Sequence, residues 1–554
     1  MLSIRQLYVQ YQTRSGVVNA VNGIDLDIAP GETVALVGES GCGKSATCLA
    51  VMGLLPADSG RITTGSIQWE GNELTGMDEP DLRRLRGDQM AMVFQDTMTA
   101  LNPYLRIQTQ LLEGFIGHQT ISRGDAKSRA MEMLKRVGLR NPDRIFRSYP
   151  HQLSGGMRQR VQIAMSLLCN PKVLIADEPT TALDVSVQKQ ILSLLAELRD
   201  SMNLAMLVVS HDLGVVANVA DRIAVMHKGD IVEAGLTKDI LNKPTHEYTR
   251  SLLNAVPRIT PKSEQAATSD PISLQIGAQH ESDGVSKVRA QGEVPLMDCQ
   301  SVVKEFKSSF LSWSNRSVVR ALDGVDMAIH DGEIVGLVGE SGCGKSTLAR
   351  LLVGLETPMR GRVLFDGQNT ADLSAAQVFA KQKAVQLIFQ DPRSSLNPRM
   401  TAAELISEPM YVHSIGNGKE SRAARTVELM ERVGLEPSMR FRYPHEFSGG
   451  QCQRIGIARA LATQPRLLIC DEAVSALDVS IQSQIIHLLR SLCTDLGMAM
   501  LFISHDLAVV HQVSDRIVVM QSGKIVEQGS ADRICLHPQH PHTQMLVSCI
   551  PAMM

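Results

Sequence analysis

Gly38-Glu-Ser-Gly-Cys-Gly-Lys-Ser45 occurs a second time, unchanged, as Gly339-Glu-Ser-Gly-Cys-Gly-Lys-Ser346. Both copies fit the phosphate-binding pattern G-x-x-x-x-G-K-[ST], and both have the setting that pattern requires. An apolar, strand-like run precedes each (Thr33 to Val37, Ile334 to Val338), and a helical stretch follows (Ala46 to Leu55, Thr347 to Leu355). Glycine lets the backbone aim successive N–H groups at an anion, and the helix behind presents its positive end to the same charge. The pattern places Gly38, Ser40, Gly41, Cys42, Gly43, Lys44, Ser45 and Ala46 around one set of phosphates. It places Gly339, Ser341, Gly342, Cys343, Gly344, Lys345, Ser346 and Thr347 around another. The two lysines reach β- and γ-phosphates, and the hydroxyls of Ser45 and Ser346 suit Mg2+. The chain is expected to bind nucleoside triphosphate twice.

The repetition extends well beyond these loops. Lys44 and Lys345 stand 301 positions apart, and Gln95 and Gln390 stand 295 apart. Ser154 and Ser448, Asp177 and Asp471, and His211 and His505 are each separated by 294. The drift puts extra residues of the first copy around Ala57 to Pro80. A period of this length is a duplicated domain rather than a solenoid. Between the copies, Arg258 to Glu293 is rich in Ser, Gln, Ala, Asp and Gly and reads as a flexible linker. The expected organisation is a first domain over 1–257, a linker over 258–293 and a second domain over 294–554.

Lys172 to Ala176, Leu204 to Val209, Arg466 to Cys470 and Met498 to Ile503 are short, unalternating apolar runs. They suit strands buried on both faces of a mostly parallel sheet. Val187 to Ser201 and Ile481 to Leu496 read as helices, so the fold class is α/β, twice over. Asp177-Glu178 and Asp471-Glu472 follow two of those strands. The first acid of each pair suits the surroundings of Mg2+, and the second suits a general base that polarises water. His211 and His505, each in Ser-His-Asp after the next strand, suit a role in holding the γ-phosphate and the water.

Composition limits the alternatives. Apolar residues at 44% and charged residues at 20% over 554 positions describe an ordinary globular protein. A net charge of −3 argues against nonspecific nucleic-acid binding. No apolar run of about eighteen residues occurs, so no membrane span is expected. The start of the chain lacks the apolar core of a signal peptide. The 10 cysteines are scattered with no C-x-x-C pair, which speaks against a zinc knuckle or redox motif and for free thiols in the cytosol.

Leu153-Ser-Gly-Gly-Met-Arg-Gln-Arg160 and Phe447-Ser-Gly-Gly-Gln-Cys-Gln-Arg454 resemble the signature motif of ATP-binding cassette (ABC) ATPases. The resemblance covers nearly the whole chain outside the linker. It implies two tandem P-loop NTPase domains, each a mostly parallel sheet core with a helical subdomain and an antiparallel β subdomain. It further implies ATP and Mg2+ as ligands, with the two domains pairing within one chain. Lys44 and Ser45 would share one ATP with Ser448, Gly449 and Gly450, and Lys345 and Ser346 the other with Ser154, Gly155 and Gly156. Gln95 and Gln390 resemble the Q-loop, so Mg2+ would have Ser45, Gln95 and Asp177 in one site and Ser346, Gln390 and Asp471 in the other. Asp184 and Asp478 resemble the D-loop, and Tyr11 and Phe306 fit the aromatic that stacks on adenine. Cys452, Ala473 and Ala46 depart from the usual Arg, Pro and Thr; none removes a phosphate ligand or the catalytic acids Glu178 and Glu472.

Phe94 to Pro103 and Phe389 to Pro398 resemble the Q-loop region of the oligopeptide/dipeptide/nickel importer ATPases. So do Tyr149 to Leu153 and Tyr443 to Phe447, and the tails Pro244 to Arg250 and His540 to Thr543. Members usually work as two subunits, and this chain looks like the two fused. That resemblance implies a peripheral ATPase on the cytoplasmic face of the membrane. Its partners would be two permease subunits on separate chains and an extracytoplasmic solute-binding protein. The motor stroke would pass through the Q-loops and the helical insertions Leu101 to Pro150 and Leu396 to Pro444. The cysteine cluster that follows the tail in many members is missing, so no iron–sulfur centre is expected. The alternatives are a soluble twin-cassette ATPase acting on ribosomes or DNA, and an exporter ATPase. The cargo is not encoded in these motifs.

Overall fold

The computed structural model describes residues 1–13, 16–96, 100–118, 121–180, 183–257, 259, 261, 294–307, 318–475 and 477–550. Nearly all of the expected linker lies outside them, as do part of the stretch after Asp96, Ala182 and Ala476. The chain forms two compact units, one built on Met1–Val256 and the other on Pro257–Leu477 and Gln482–Ile550.

The strands of the first unit are β1 (Leu2–Thr13), β2 (Gly16–Ile28), β3 (Thr33–Val37), β4 (Gly60–Trp69), β5 (Asn72–Glu73), β6 (Met90–Val93), β7 (Val173–Asp177), β8 (Ala205–Ser210), β9 (Arg222–His227) and β10 (Asp230–Leu236). They make an antiparallel sheet ordered β2-β1-β4-β5 and a six-stranded sheet ordered β10-β9-β3-β8-β7-β6. In the larger sheet every pairing is parallel except β10 on β9. Every residue of β3, β6, β7 and β8 is buried, which is why these strands read as unbroken apolar runs. In β1 the alternation Leu2, Ile4 breaks at Gln6, whose φ of 45° marks a bulge, and resumes inward at Leu7 and Val9.

One core fills the space between the two sheets around the helix Lys44–Val51, with Leu36, Cys48, Trp69 and Ile175 among its members. A second lies on the other face of the parallel sheet, under the helices Gly155–Leu167 and Val185–Met202. The insertion from Leu101 to Pro150 supplies the helices Ile107–His118, Arg123–Arg136 and Pro142–Arg147 that pack into that second core.

The second unit repeats the plan. Its strands are β11 (Met297–Lys307), β12 (Val318–Ile329), β13 (Ile334–Val338), β14 (Arg360–Phe365), β15 (Gln368–Asn369), β16 (Val385–Ile388), β17 (Leu467–Asp471), β18 (Ala499–Ser504), β19 (Arg516–Gln521) and β20 (Lys524–Ser530). The sheets are ordered β12-β11-β14-β15 and β16-β17-β18-β13-β19-β20. The extra residues of the first unit lengthen one strand: β4 has 10 residues and β14 has 6.

The helices behind the phosphate loops are displaced from their expected spans. They run over Lys44–Val51 and Lys345–Val353, starting at the lysine and stopping short of Leu55 and Leu355. Gly53 and Gly354 take left-handed conformations (φ 60° and 98°), and a helix ends at such a residue. In the first unit Arg86 then takes up the freed carbonyls, donating from Nε to Met52 O (2.7 Å) and from Nη2 to Gly53 O (2.8 Å).

Candidate functional site

Each phosphate loop joins a buried strand to a helix through a glycine that no other residue could replace. Gly43 and Gly344 have φ of 110° and 113°, and a Cβ on them would collide with the carbonyl oxygens of Ala20 and Ala321. Lys44 is 4% exposed, and its Nζ donates to Gly38 O and Glu39 O, both at 2.8 Å. Lys345 repeats this with Gly339 O at 2.7 Å and Glu340 O at 3.0 Å. The loop's own carbonyls thus hold the amine in place. Cys42 and Cys343 are buried, and burial pushes both thiols up despite the adjacent lysines.

The residues expected around Mg2+ and water converge in each unit. Ser45 Oγ donates to Asp177 Oδ1 at 3.1 Å, and Ser346 Oγ to Asp471 Oδ1 at 3.0 Å. Burial raises both aspartates, the serine bonds offsetting only part of the effect. Gln95 Nε2 donates to Glu178 Oε2 at 3.0 Å, and Gln390 Nε2 to Glu472 Oε2 at 2.7 Å. His211 Nδ1 lies 3.3 Å from Glu178 Oε2, and His505 Nδ1 lies 3.8 Å from Glu472 Oε1. Burial alone would lower both histidines, but the facing glutamate outweighs it and raises them. Burial would likewise raise Glu472, yet His505 and Lys345, the latter with Nζ at 3.8 Å, hold it below its ordinary value. A serine hydroxyl, a carboxylate and an amide are hard oxygen donors, a set that fits Mg2+.

One property of these sites has no counterpart in the sequence motifs. Glu178 and Glu472 both have positive φ (45° and 47°), a region that a side chain with Cβ seldom occupies. Their N–H groups donate to Val209 O (3.1 Å) and Ile503 O (3.0 Å) on the neighbouring strands, which holds the strained turn. The strain aims each carboxylate at its glutamine and histidine.

The remaining expected residues make no part of the cluster in their own unit. Ser154 and Ser448 cap the helices Gly155–Leu167 and Gly449–Leu461, accepting from Met157 N (3.4 Å) and Gln451 N (3.3 Å). Gly155 and Gly156 face Leu183 and Val187. Among the described residues, no hydrogen bond joins Ser154, Gly155, Gly156, Ser448, Gly449 or Gly450 to the phosphate loop of its own unit. Tyr11 lies in β1, half-buried against Gly60. Phe306 lies near the end of β11, 40% exposed, with Lys304 Nζ 5.4 Å from its ring centre.

A glycine-rich loop after a buried strand, a buried lysine and an acid pair closing a parallel strand two places along the same sheet define a P-loop nucleoside-triphosphate hydrolase. Comparison with known proteins narrows that class. The ABC transporter family model matches residues 21–181 and 322–475. The model for the C-terminal region of oligopeptide/dipeptide transporters matches 232–279 and 526–554. The glutathione import ATP-binding protein GsiA of Salmonella choleraesuis (strain SC-B67) is 43% identical over 560 aligned positions, covering 100% of this chain and 89% of that protein. Its counterpart in Escherichia coli (strain K12) is 44% identical with the same coverage. A solved dimeric structure of the ATP-binding cassette MJ0796 with ADP and Pi is 29% identical, covering 42% of this chain and 98% of that one, with a TM-score of 0.39. The chain belongs to the ABC transporter family, as an ATP-binding, ATP-hydrolysing protein with two cassettes, each followed by the oligopeptide/dipeptide transporter C-terminal region.

Proposed function

We propose that this chain powers an importer of di- or oligopeptide-like solutes, glutathione among them. The observation that carries the reading is similarity to glutathione import ATP-binding proteins along the entire chain, both tails included. The working organisation is a cassette over 1–257, a linker over 258–293 and a cassette over 294–554. Two ATP molecules would bind, one with Lys44, Ser45 and the signature residues Ser448, Gly449 and Gly450. The other would bind with Lys345, Ser346 and Ser154, Gly155 and Gly156. Tyr11 and Phe306 would stack on the adenines. Among the described residues no helix is long and apolar enough to cross a membrane. Two permease subunits on separate chains would supply the path, with a solute-binding protein outside the membrane and this chain on the cytoplasmic face.

The chemistry follows from the side chains. Mg2+ held by Ser45, Gln95 and Asp177, or by Ser346, Gln390 and Asp471, would neutralise phosphate charge. Glu178 and Glu472 would accept the proton of the attacking water. The amides of Gln95 and Gln390 fix one oxygen of each glutamate and so orient the other. His211 and His505, kept protonated to higher pH by the same carboxylates, would steady the γ-phosphate.

The test is ATPase activity and glutathione uptake by the membrane complex purified through this chain. Wild type, Glu178→Gln, Glu472→Gln and the double variant are compared. Each single change is expected to remove most turnover while ATP still binds. A single variant with nearly intact turnover would defeat the paired mechanism. A chain that recovers no membrane partner would defeat the importer reading.

A further inference from the structure

The tail segments enter the family resemblance as a motif, with no chemistry attached to them. In the first unit the tail is strapped down before it reaches its helix Glu247–Ala255. Glu233 on β10 accepts from Thr245 N and Thr245 Oγ1, both at 2.7 Å, and from His246 N at 3.1 Å. Burial would raise this carboxyl, but the donors gathered on it bring it to about 2, so the strap stays charged and closed at neutral pH. His246 Nδ1 accepts from Tyr248 N at 3.1 Å and caps the helix. Tyr248 stacks on His227 at the end of β9, with ring centres 4.0 Å apart. These constraints deliver the Tyr248 hydroxyl to the phosphate loop, where it accepts from Glu39 N at 3.1 Å.

Glu39 is the residue whose carbonyl oxygen holds the Lys44 amine at 2.8 Å and accepts from Cys42 N at 3.3 Å. Its N–H and its C=O are thus fixed from opposite directions, one by the tail and the other by the loop's own lysine.

In the second unit the strap is repeated and its last residue is changed. Glu527 accepts from Gln539 N (2.9 Å) and His540 N (3.0 Å), and His540 Nδ1 accepts from His542 N (3.2 Å). The residue at the place of Tyr248 is His542, 5% exposed, whose Nε2 is buried without a hydrogen-bond partner. Its charge environment includes Glu340, the counterpart of Glu39. Gln521 ends β19 where His227 ends β9, so the stacking ring is gone as well.

We infer that the tail is a prop for the phosphate loop, that Tyr248 is a positioning residue of the first ATP site, and that His542, whose buried Nε2 bonds to nothing, does not give the second loop this contact. Tyr248 acts through Glu39 on the lysine and touches no phosphate. The two sites therefore differ in ATP affinity for a reason located outside either motif. This rests on the family's ATP binding and not on the nature of the cargo.

The experiment uses the full chain with radiolabelled ATP. Lys345→Ala isolates binding at the first site, and Lys44→Ala isolates the second. In the Lys345→Ala background, Tyr248→Phe keeps the ring and its stack while removing the acceptor. It is expected to weaken ATP about three- to tenfold, the usual net contribution of one such bond. The amide of Glu39 should exchange hydrogen faster, and turnover at saturating ATP should change less than KM. In the Lys44→Ala background, His542→Tyr is expected to tighten ATP by a similar factor. Wild-type affinity and exchange in Tyr248→Phe, with no gain in His542→Tyr, would overturn the inference. Weakening of both sites by Tyr248→Phe would mark a general loss of folding and overturn it equally.

Discussion

In the first unit the Leu153 carbonyl, which leads into the signature motif, accepts from Arg158 Nε at 3.0 Å. In the second unit Cys452 stands where Arg158 stands in the first, and the matching Phe447 carbonyl accepts from Arg393 Nη2 at 3.5 Å. The donor has moved from the signature helix to the segment that follows Gln390. A second guanidinium makes the same connection, since Arg459 Nη1 donates to Ser395 O at 2.8 Å, whereas Met165 holds that place in the first unit. There the tie between helix and Q-loop is a side-chain amide, Gln162 Nε2 to Phe94 O at 3.3 Å. The start of the signature helix differs too. Ser448 and Gln451 bond reciprocally as a capping box, while Met157 gives Ser154 only a backbone donor. A missing motif residue is thus not always a missing interaction. Cys452 is a departure in sequence whose acceptor is served from another loop.

The largest effects should ignore that difference. Glu178→Gln and Glu472→Gln are each expected to slow single-turnover hydrolysis at the altered site about a hundredfold or more, the range of a lost general base. Rapid-quench measurements that find one site spared would show the halves to be chemically unequal, not merely differently braced. Next in size is Arg459→Met, which leaves Ser395 O unserved and should cost the second unit about 1–3 kcal/mol in denaturant titration. Hydrogen exchange should locate the loosening between Asp391 and Leu396. Met165→Arg in the first unit should bring no matching gain.

A subtler comparison concerns protonation. Glu178→Gln should lower the pH at which His211 titrates, because the carboxylate that raises it is gone. Glu472→Gln should do the same to His505, but less, since the contact is 3.8 Å rather than 3.3 Å. Histidine NMR against pH would report both shifts, and equal shifts would erase that distinction. The smallest effect belongs to Gln451→Met, which opens the capping box and should destabilise the second unit by about 0.5 kcal/mol. The reciprocal Met157→Gln should give a similar gain.

Much of this was legible in the chain. Two identical loops in strand–helix settings disclosed the fold class, and the acid pairs and histidines followed by their common offset. The predicted strands Lys172 to Ala176 and Arg466 to Cys470 lie one residue off, because Asp177 and Asp471 close strands that the apolar pattern alone ends too soon. The helices behind the loops were overrun because apolar content outvoted the stops at Gly53 and Gly354. What stayed hidden depends on residues brought together from afar. Tyr248 and Glu39 are 209 positions apart, and no local pattern announces their bond. The replacement of Arg158 by Arg393 is equally invisible, since it satisfies one carbonyl from a different element.

The positive φ at Glu178 and Glu472 carries a consequence for how such a chain tolerates change. At most positions a substitution that ruins function also loosens the fold. At these two, glycine would relax the backbone by about 1 kcal/mol while deleting the carboxylate. The same change would strip Gln95 and His211, or Gln390, His505 and Lys345, of a carboxylate partner, so backbone ease and side-chain satisfaction pull in opposite directions at the one residue.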